Sequence, residues 1–142
     1  MTKPFLDDIG GKDCIARVHK ILYDKLLSDP WLKDFFVGME RWHLEDQQTD
    51  FMHDLFGGPA CYQGRFPMNA HQHLFITEEV FMVRHKLLAE SLSEARVPEE
   101  HKQRWLKFDM SMKAALVKKT VEDCEGRYKT EKVIVVPKPA GY

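Results

Sequence analysis

Apolar residues recur along this chain in stretches with steps of three and four, separated by short polar or glycine-rich breaks. That spacing places side chains on one face of an α-helix. From Lys12 onward, Ile15, Val18, Leu22 and Leu26 keep to it and predict a first long helix after the Gly10-Gly11 break. Asp29-Pro30 ends that helix and opens a short helical segment, with Asp29 as N-cap and Pro30 in the first position. Trp31, Leu32, Phe35 and Phe36 load the segment with apolar area, and Gly38 closes it. The next helix is predicted from about Arg41 to Phe56, with Leu44, Phe51 and Leu55 on its buried stripe. Gln48 stands where that stripe calls for another apolar residue. Phe56–Ala60 (FGGPA) ends the helix sharply, and Cys61–Phe66 reads as loop.

The stretch Pro67–Phe81 follows, with His71 and His73 two positions apart. If it is helical, the two imidazoles point about 200° apart. Ala70, Leu74 and Phe75 define its apolar side, which makes His71 the inward residue and turns His73 away. Thr77 caps a new helix, with Glu78 and Glu79 in its first turn and Val80, Phe81, Val83, Leu87, Leu88 and Ser91 on its core face. Val97-Pro98 starts a last long helix carrying Trp105, Leu106, Met112, Leu116 and Val117. Beyond about Thr120 the periodicity fades. KVIVV is a short β-like run with no partner strand in view, so residues 121–142 are expected to form a polar arm or a disordered tail. The class is all-α, with one domain over residues 1–120.

Composition narrows the function classes. Of 142 residues, 30% are charged and the formal net charge is -1, which gives no electrostatic footprint for nucleic acid or an acidic membrane. No apolar run is long enough to span a bilayer, and the N-terminus lacks a signal-peptide core. The three cysteines are widely spaced, which reads as reduced thiols in a cytoplasmic protein. Zinc, nucleotide-loop and nucleophile-elbow motifs are absent. His19, His53, His85 and His101 lie beside Lys, Asp or Glu and read as solvated.

Three polar residues sit at or beside apolar faces: His71, Gln48, and Tyr23 on the edge of the first stripe. Each alone is also explained by ordinary packing. An inward imidazole can be a hydrogen-bonded core group, an amide can bond a backbone carbonyl, and a tyrosine can carry its hydroxyl to the surface. Together, amid Phe35, Phe36, Leu44, Phe51 and Phe81, they point to a greasy pocket with few polar groups, the make-up of a cofactor site.

The succession IGG (Ile9–Gly11), LYDKLLSDPWLKDFF (Leu22–Phe36), FGGP (Phe56–Pro59), YQGR (Tyr62–Arg65) and AHQHLFIT (Ala70–Thr77), followed by Phe81 and Val97-Pro98, resembles the truncated haemoglobins, most closely group I. The resemblance covers about residues 5 to 118 and implies a two-over-two α-helical sandwich around haem b. By resemblance, His71 matches the proximal ligand of the haem iron. Tyr23 and Gln48 match distal hydrogen-bonding positions, with Leu44 beside them. Phe36, Phe51 and Phe81 match haem-packing positions, and Gln47 lies near the haem edge. Group II and III members usually carry a tryptophan on the helix opening at Thr77, and this chain has none there. Arg84 occupies a position that is commonly apolar in the family, and Arg41, Arg65 and Arg84 are candidate propionate partners.

The implied function is reversible O2 binding at a pentacoordinate iron, with NO dioxygenation to nitrate as the expected use. A ligand sensor or redox protein with the tail as its contact, and a haem-free helical interaction module, are the alternatives. Expected partners are the gases O2, NO and CO and an unidentified reductase. The protein is expected to be a monomer or weak dimer without nucleic-acid or membrane partners.

Overall fold

A computed structural model describes residues 3–142. Seven α-helices follow one another: α1 (Phe5–Asp8), α2 (Lys12–Leu26), α3 (Arg41–Leu55), α4 (Pro67–His71), α5 (Glu78–Glu94), α6 (Glu99–Ser111) and α7 (Lys113–Leu116). Short 3₁₀ segments occupy Leu32–Phe36 and Val121–Asp123. No strand forms among the described residues beyond one isolated bridge. Helix α2 packs against both α3 and α5, and α5 packs against α6. The result is two helical layers, α2 with α3 and α5 with α6, sharing the α2–α5 contact.

The α2 stripe is realised as the spacing predicts. Ile15, Val18, Leu22 and Leu26 are all at most 3% exposed. They meet Trp105 of α6 and Phe56 at the end of α3, whose rings pack edge to face at 5.0 Å. Each such side chain contributes roughly 1.5–3 kcal/mol by leaving water. Gly57 adopts φ +96, a left-handed conformation, and a Cβ there would stand 2.7 Å from the Pro4 side chain. Only glycine permits that close approach, which ties the N-terminal turn to the end of α3 through the Leu6 N–H to Phe56 carbonyl bond of 3.0 Å.

Helix α3 differs from its expected orientation. The side chains it buries fully are Thr49 and Met52, which lie on an adjacent face. Leu44, Gln48, Phe51 and Leu55 are only half-buried. The apolar stripe is real, but Leu44, Gln48 and Phe51 border a cavity rather than solid packing. The last long helix also differs, breaking at Met112 into α6 and α7 before the chain extends at Val117.

The C-terminal segment lies across the body of the protein. The expectation that KVIVV lacks a partner is corrected here: Ile134 forms a parallel bridge with Leu74. The Ile134 N–H donates to the His73 carbonyl at 2.8 Å, and the Phe75 N–H donates to the Ile134 carbonyl at 2.9 Å. The partner is an extended connection between helices, which a search for a second strand-like run overlooks. Farther along, the Trp31 indole donates to the Val136 carbonyl at 3.2 Å and the Tyr142 hydroxyl donates to Asp29 at 2.8 Å.

Candidate functional site

The two layers do not close completely. Between α2, α3, α4, α5 and the α6–α7 junction lies a cavity with about 220 Å³ open to the centre of a water-sized sphere. A single water needs about 10–15 Å³ by that measure, so the space is far larger than a packing fault. Most of its wall is apolar. Exposed Met39, Gln47 and Arg65 mark the side on which it opens.

The side chains matched to ligand, distal and haem-packing positions line this one cavity: Tyr23 from α2, Phe36 from the 3₁₀ segment, and Leu44, Gln47, Gln48 and Phe51 from α3, with His71 from α4 and Phe81 from α5. Pro67 starts α4 with its fixed φ, and His71 sits one helical turn later at the end. Its Nδ1 lies 2.8 Å from the Pro67 carbonyl. A carbonyl only accepts, so Nδ1 carries the proton and Nε2 keeps a free lone pair. Burial, reinforced by the positive charges of Arg84 and Lys118 and opposed by the Pro67 bond, lowers the His71 pKa to about 4. The ring is therefore neutral at physiological pH. Its segment is held from outside, because the Lys118 ammonium donates to the His71 and Leu74 carbonyls at 2.6 and 2.7 Å.

On the α2 wall of the cavity, Tyr23 is 7% exposed and packs edge-on against Phe36 at 6.1 Å. Burial raises its pKa to about 12, so it stays a neutral phenol with a proton to donate. Gln48 adds a carboxamide on the same side of α3 as Leu44 and Phe51.

His73 departs from the helical-phase argument. It is 4% exposed and lines the same cavity as His71. Helix α4 ends at His71 and the chain turns at Gln72, so an angle of about 100° per residue does not carry to position 73. What separates the two imidazoles is their bonding. His71 Nδ1 has its carbonyl, whereas His73 Nδ1 is buried without a hydrogen bond, 4.0 Å from Glu131.

The histidines read as solvated are corrected as well. His19 is 1% exposed, bonded through Nδ1 to the Thr49 hydroxyl at 2.9 Å, and lowered to about 3 by burial. His85 bonds Asp109 at 2.7 Å, and His53 lies 3.3 Å from the Cys61 sulfur. His101 is half-buried against Phe5. A charged sequence neighbour says little about the face on which a helical residue lies.

Sequence reasoning missed Asp109, Arg127, Tyr62 and Met112 as cavity residues. Asp109 left a readable signal, since it stands one turn after Trp105 on the inward face of α6. Of the arginines considered for carboxylate pairing, Arg65 and Arg84 line the cavity. Arg41 is occupied elsewhere, by Asp24 at 2.7 Å and Glu45 at 3.3 Å. His43 is exposed and meets Trp42 edge to face. No helix among the described residues is long and apolar enough to cross a membrane.

A family model described as bacterial-like globin matches residues 4–119. The group 1 truncated haemoglobin of Tetrahymena pyriformis is 32% identical over 99 residues, covering 68% of this chain and 82% of that protein. The group 1 truncated haemoglobin of Mycolicibacterium paratuberculosis is 34% identical over 94 residues, covering 66% of this chain and 69% of that protein. The crystal structure of the Tetrahymena pyriformis protein in its Fe(III) form superposes with a TM-score of 0.74 at 27% identity, over 82% of this chain and 100% of that one.

Proposed function

The chain belongs to the bacterial-like globin family, as a group 1 truncated haemoglobin with a two-over-two fold, and from that premise we propose that it binds O2 reversibly and uses it to convert NO to nitrate. Its cofactor is haem. The lining suits that group, with apolar walls, one neutral imidazole with a spare ring nitrogen, and an exposed arginine at the opening able to meet carboxylates. Haem supplies an iron that takes a diatomic ligand, and each nitrate formed costs it one electron that a reductase must return.

The residues divide the work. His71 would hold the haem iron through Nε2, and its Nδ1–H bond to the Pro67 carbonyl fixes the ring and raises its basicity. Leu44 has no ligating atom and His43 is exposed, so neither would compete with a gas ligand for the iron. The Tyr23 hydroxyl donates to the partial negative charge that a bound diatomic ligand acquires, and the Gln48 amide supports either ligand or phenol. A hydrogen bond to a charged group is worth about 1.5–3 kcal/mol, a factor of roughly ten to a hundred in ligand escape. Slow escape suits a site that retains O2 until NO arrives, and suits a carrier poorly.

The observation that carries this reading is the pairing, in one apolar cavity, of a neutral imidazole having an unused nitrogen with a buried phenol. The sensor alternative relied on the tail as a free contact surface, and the packed C-terminal segment does not favour it. The test is the ferrous absorption spectrum with and without O2, followed by mixing the O2-saturated protein with NO. Rapid, stoichiometric appearance of ferric protein and nitrate is expected. Slow or partial conversion would remove NO turnover and leave O2 binding.

A further inference from the structure

Outside the cavity, at the end of α3, three side chains of ligating type converge. His53 Nδ1 lies 3.2 Å from Asp54 Oδ1 and 3.3 Å from Cys61 Sγ, and that sulfur lies 3.4 Å from the same Asp54 oxygen. All three residues are half-buried. Their spacing matches no zinc motif, because His53 and Asp54 are neighbours in sequence and Cys61 returns to them only after the Gly57-Gly58 turn.

Hydrogen bonding leaves this triangle incomplete. Asp54 is lowered to about 2, first by the Tyr62 N–H and then, against the cost of burial, by bonds from Cys61 and His53. It is therefore ionised and only accepts. The thiol and Nδ1 bring at most two protons to three short edges, so one edge has no proton of its own. A Cys–His–Asp nucleophile does not fit either. It would use one ring nitrogen for each partner, whereas the sulfur and the carboxylate here share Nδ1. Burial, followed by Asp54 and Asp50, also raises the Cys61 thiol, the opposite of an activated nucleophile. One cation between the three atoms would satisfy them all. With bonds of about 2.0–2.2 Å to nitrogen and oxygen and about 2.3 Å to sulfur, tetrahedral zinc sets its ligands about 3.3–3.7 Å apart. The triangle is already close to that size.

The ligand atoms are also held in place. The Cys61 and Tyr62 N–H groups each donate to the Asp54 carboxylate at 2.9 Å, the kind of support that orients a metal-binding carboxylate. A Cβ on Gly58 would collide with the His53 ring, so the glycine leaves room for it. Thiolate and imidazole together disfavour calcium and magnesium, and the carboxylate disfavours cuprous ion. The Lys12 ammonium is the competing cation. It is held by Asp50 at 2.7 Å and stands 3.9 Å from the sulfur, with no ion pair to Asp54 among the described residues. We infer that His53, Asp54 and Cys61 form a Zn²⁺ site, with water as the fourth ligand, that fastens the loop beginning at Cys61 to the end of α3. As the zinc–sulfur bond forms, the thiol proton leaves to solvent. The same loop carries Tyr62 and Arg65, which line the cavity. The inference does not depend on the function proposed above.

The experiment uses full-length, haem-loaded protein, stripped with a chelator, dialysed against micromolar Zn²⁺ and measured at the zinc X-ray absorption edge, apart from that of iron. About one Zn²⁺ per chain is expected, with one sulfur neighbour at about 2.3 Å and the rest nitrogen or oxygen at about 2.0–2.2 Å. Cys61→Ser should remove the sulfur neighbour. It should also weaken Zn²⁺ by more than about a hundredfold in competition with a chelator, since loss of a merely supporting residue already costs about ten- to a hundred-fold. Cys124→Ser and His43→Gln should change neither readout. Wild-type zinc with only nitrogen and oxygen neighbours would overturn the inference, and that spectrum decides the matter should Cys61→Ser fail to fold. So would a sulfur neighbour lost in Cys124→Ser and kept in Cys61→Ser, or no zinc retained. The readout is zinc rather than haem, so each of these failures leaves the function proposed above standing.

Discussion

Helices α2 and α3 meet along one seam, yet its two ends behave differently. At one end His19 is buried, paired with Thr49 and set edge to face against Trp105. One turn further along α2, Tyr23 borders open space, and Gln48 on α3 and His71 on α4 line the same space. Both ends bury polar groups. At the closed end they satisfy each other, which is what a stable interior requires. At the open end each retains hydrogen-bonding or ligating capacity for something that is not protein. Unused capacity, more than burial or residue type, distinguishes the site from the core.

The largest effect that sharpens this contrast is His71→Ala, expected to weaken haem retention by more than about a hundredfold. Transfer of haem to a competing apoglobin measures it, and His73→Ala is the comparison that should retain haem. If His73→Ala were the one to lose it, the Pro67 bond would be a poor guide to the ligating ring. Next comes Tyr23→Phe, which keeps the packing on Phe36 and removes the donor. The O2 dissociation rate should rise by roughly ten- to a hundred-fold, and stopped-flow displacement reads it. At the closed end, Thr49→Val strands the His19 nitrogen. It should cost about 1–3 kcal/mol in urea unfolding of the haem-free protein and shift O2 dissociation less than Tyr23→Phe does. A larger shift would mean the two ends are coupled.

A separate lever on the same two rings is pH. His19 and His71 fall to about 3 and about 4 from an ordinary 6.5. As pH drops through 6.5 the unfolded chain takes up protons before the folded one, so stability of the haem-free protein declines from there towards about 4. Above 6.5 both rings are neutral in either state and this contribution is constant. A urea midpoint flat between pH 6.5 and 4 would contradict the burial of both rings.

Much of this was legible from residue spacing. The α2 face, the Thr77 cap and the all-helical class followed from periods of three and four, because burial there is one-sided and regular. The side chains around the cavity were legible in a different way, as polar or half-exposed exceptions on otherwise apolar stripes, with Gln48 the clearest. The hidden parts share a cause. His73 lies just past a helix end, where phase is lost. His19 was judged by its sequence neighbours rather than by its place beside Val18 and Leu22. Asp109 needed Arg84 from another helix to become tolerable in the interior. The partner of KVIVV was a connecting segment without strand character of its own.

The bridge between Leu74 and Ile134 has a consequence for the order of assembly. A ribosome delivers the imidazole-bearing turn long before it releases the residue that braces that turn from outside. During synthesis the helical layers can meet while this flank still lacks its brace, which a later stretch of the chain supplies. Bracing of the imidazole-bearing turn thereby waits on residues made after the helical layers.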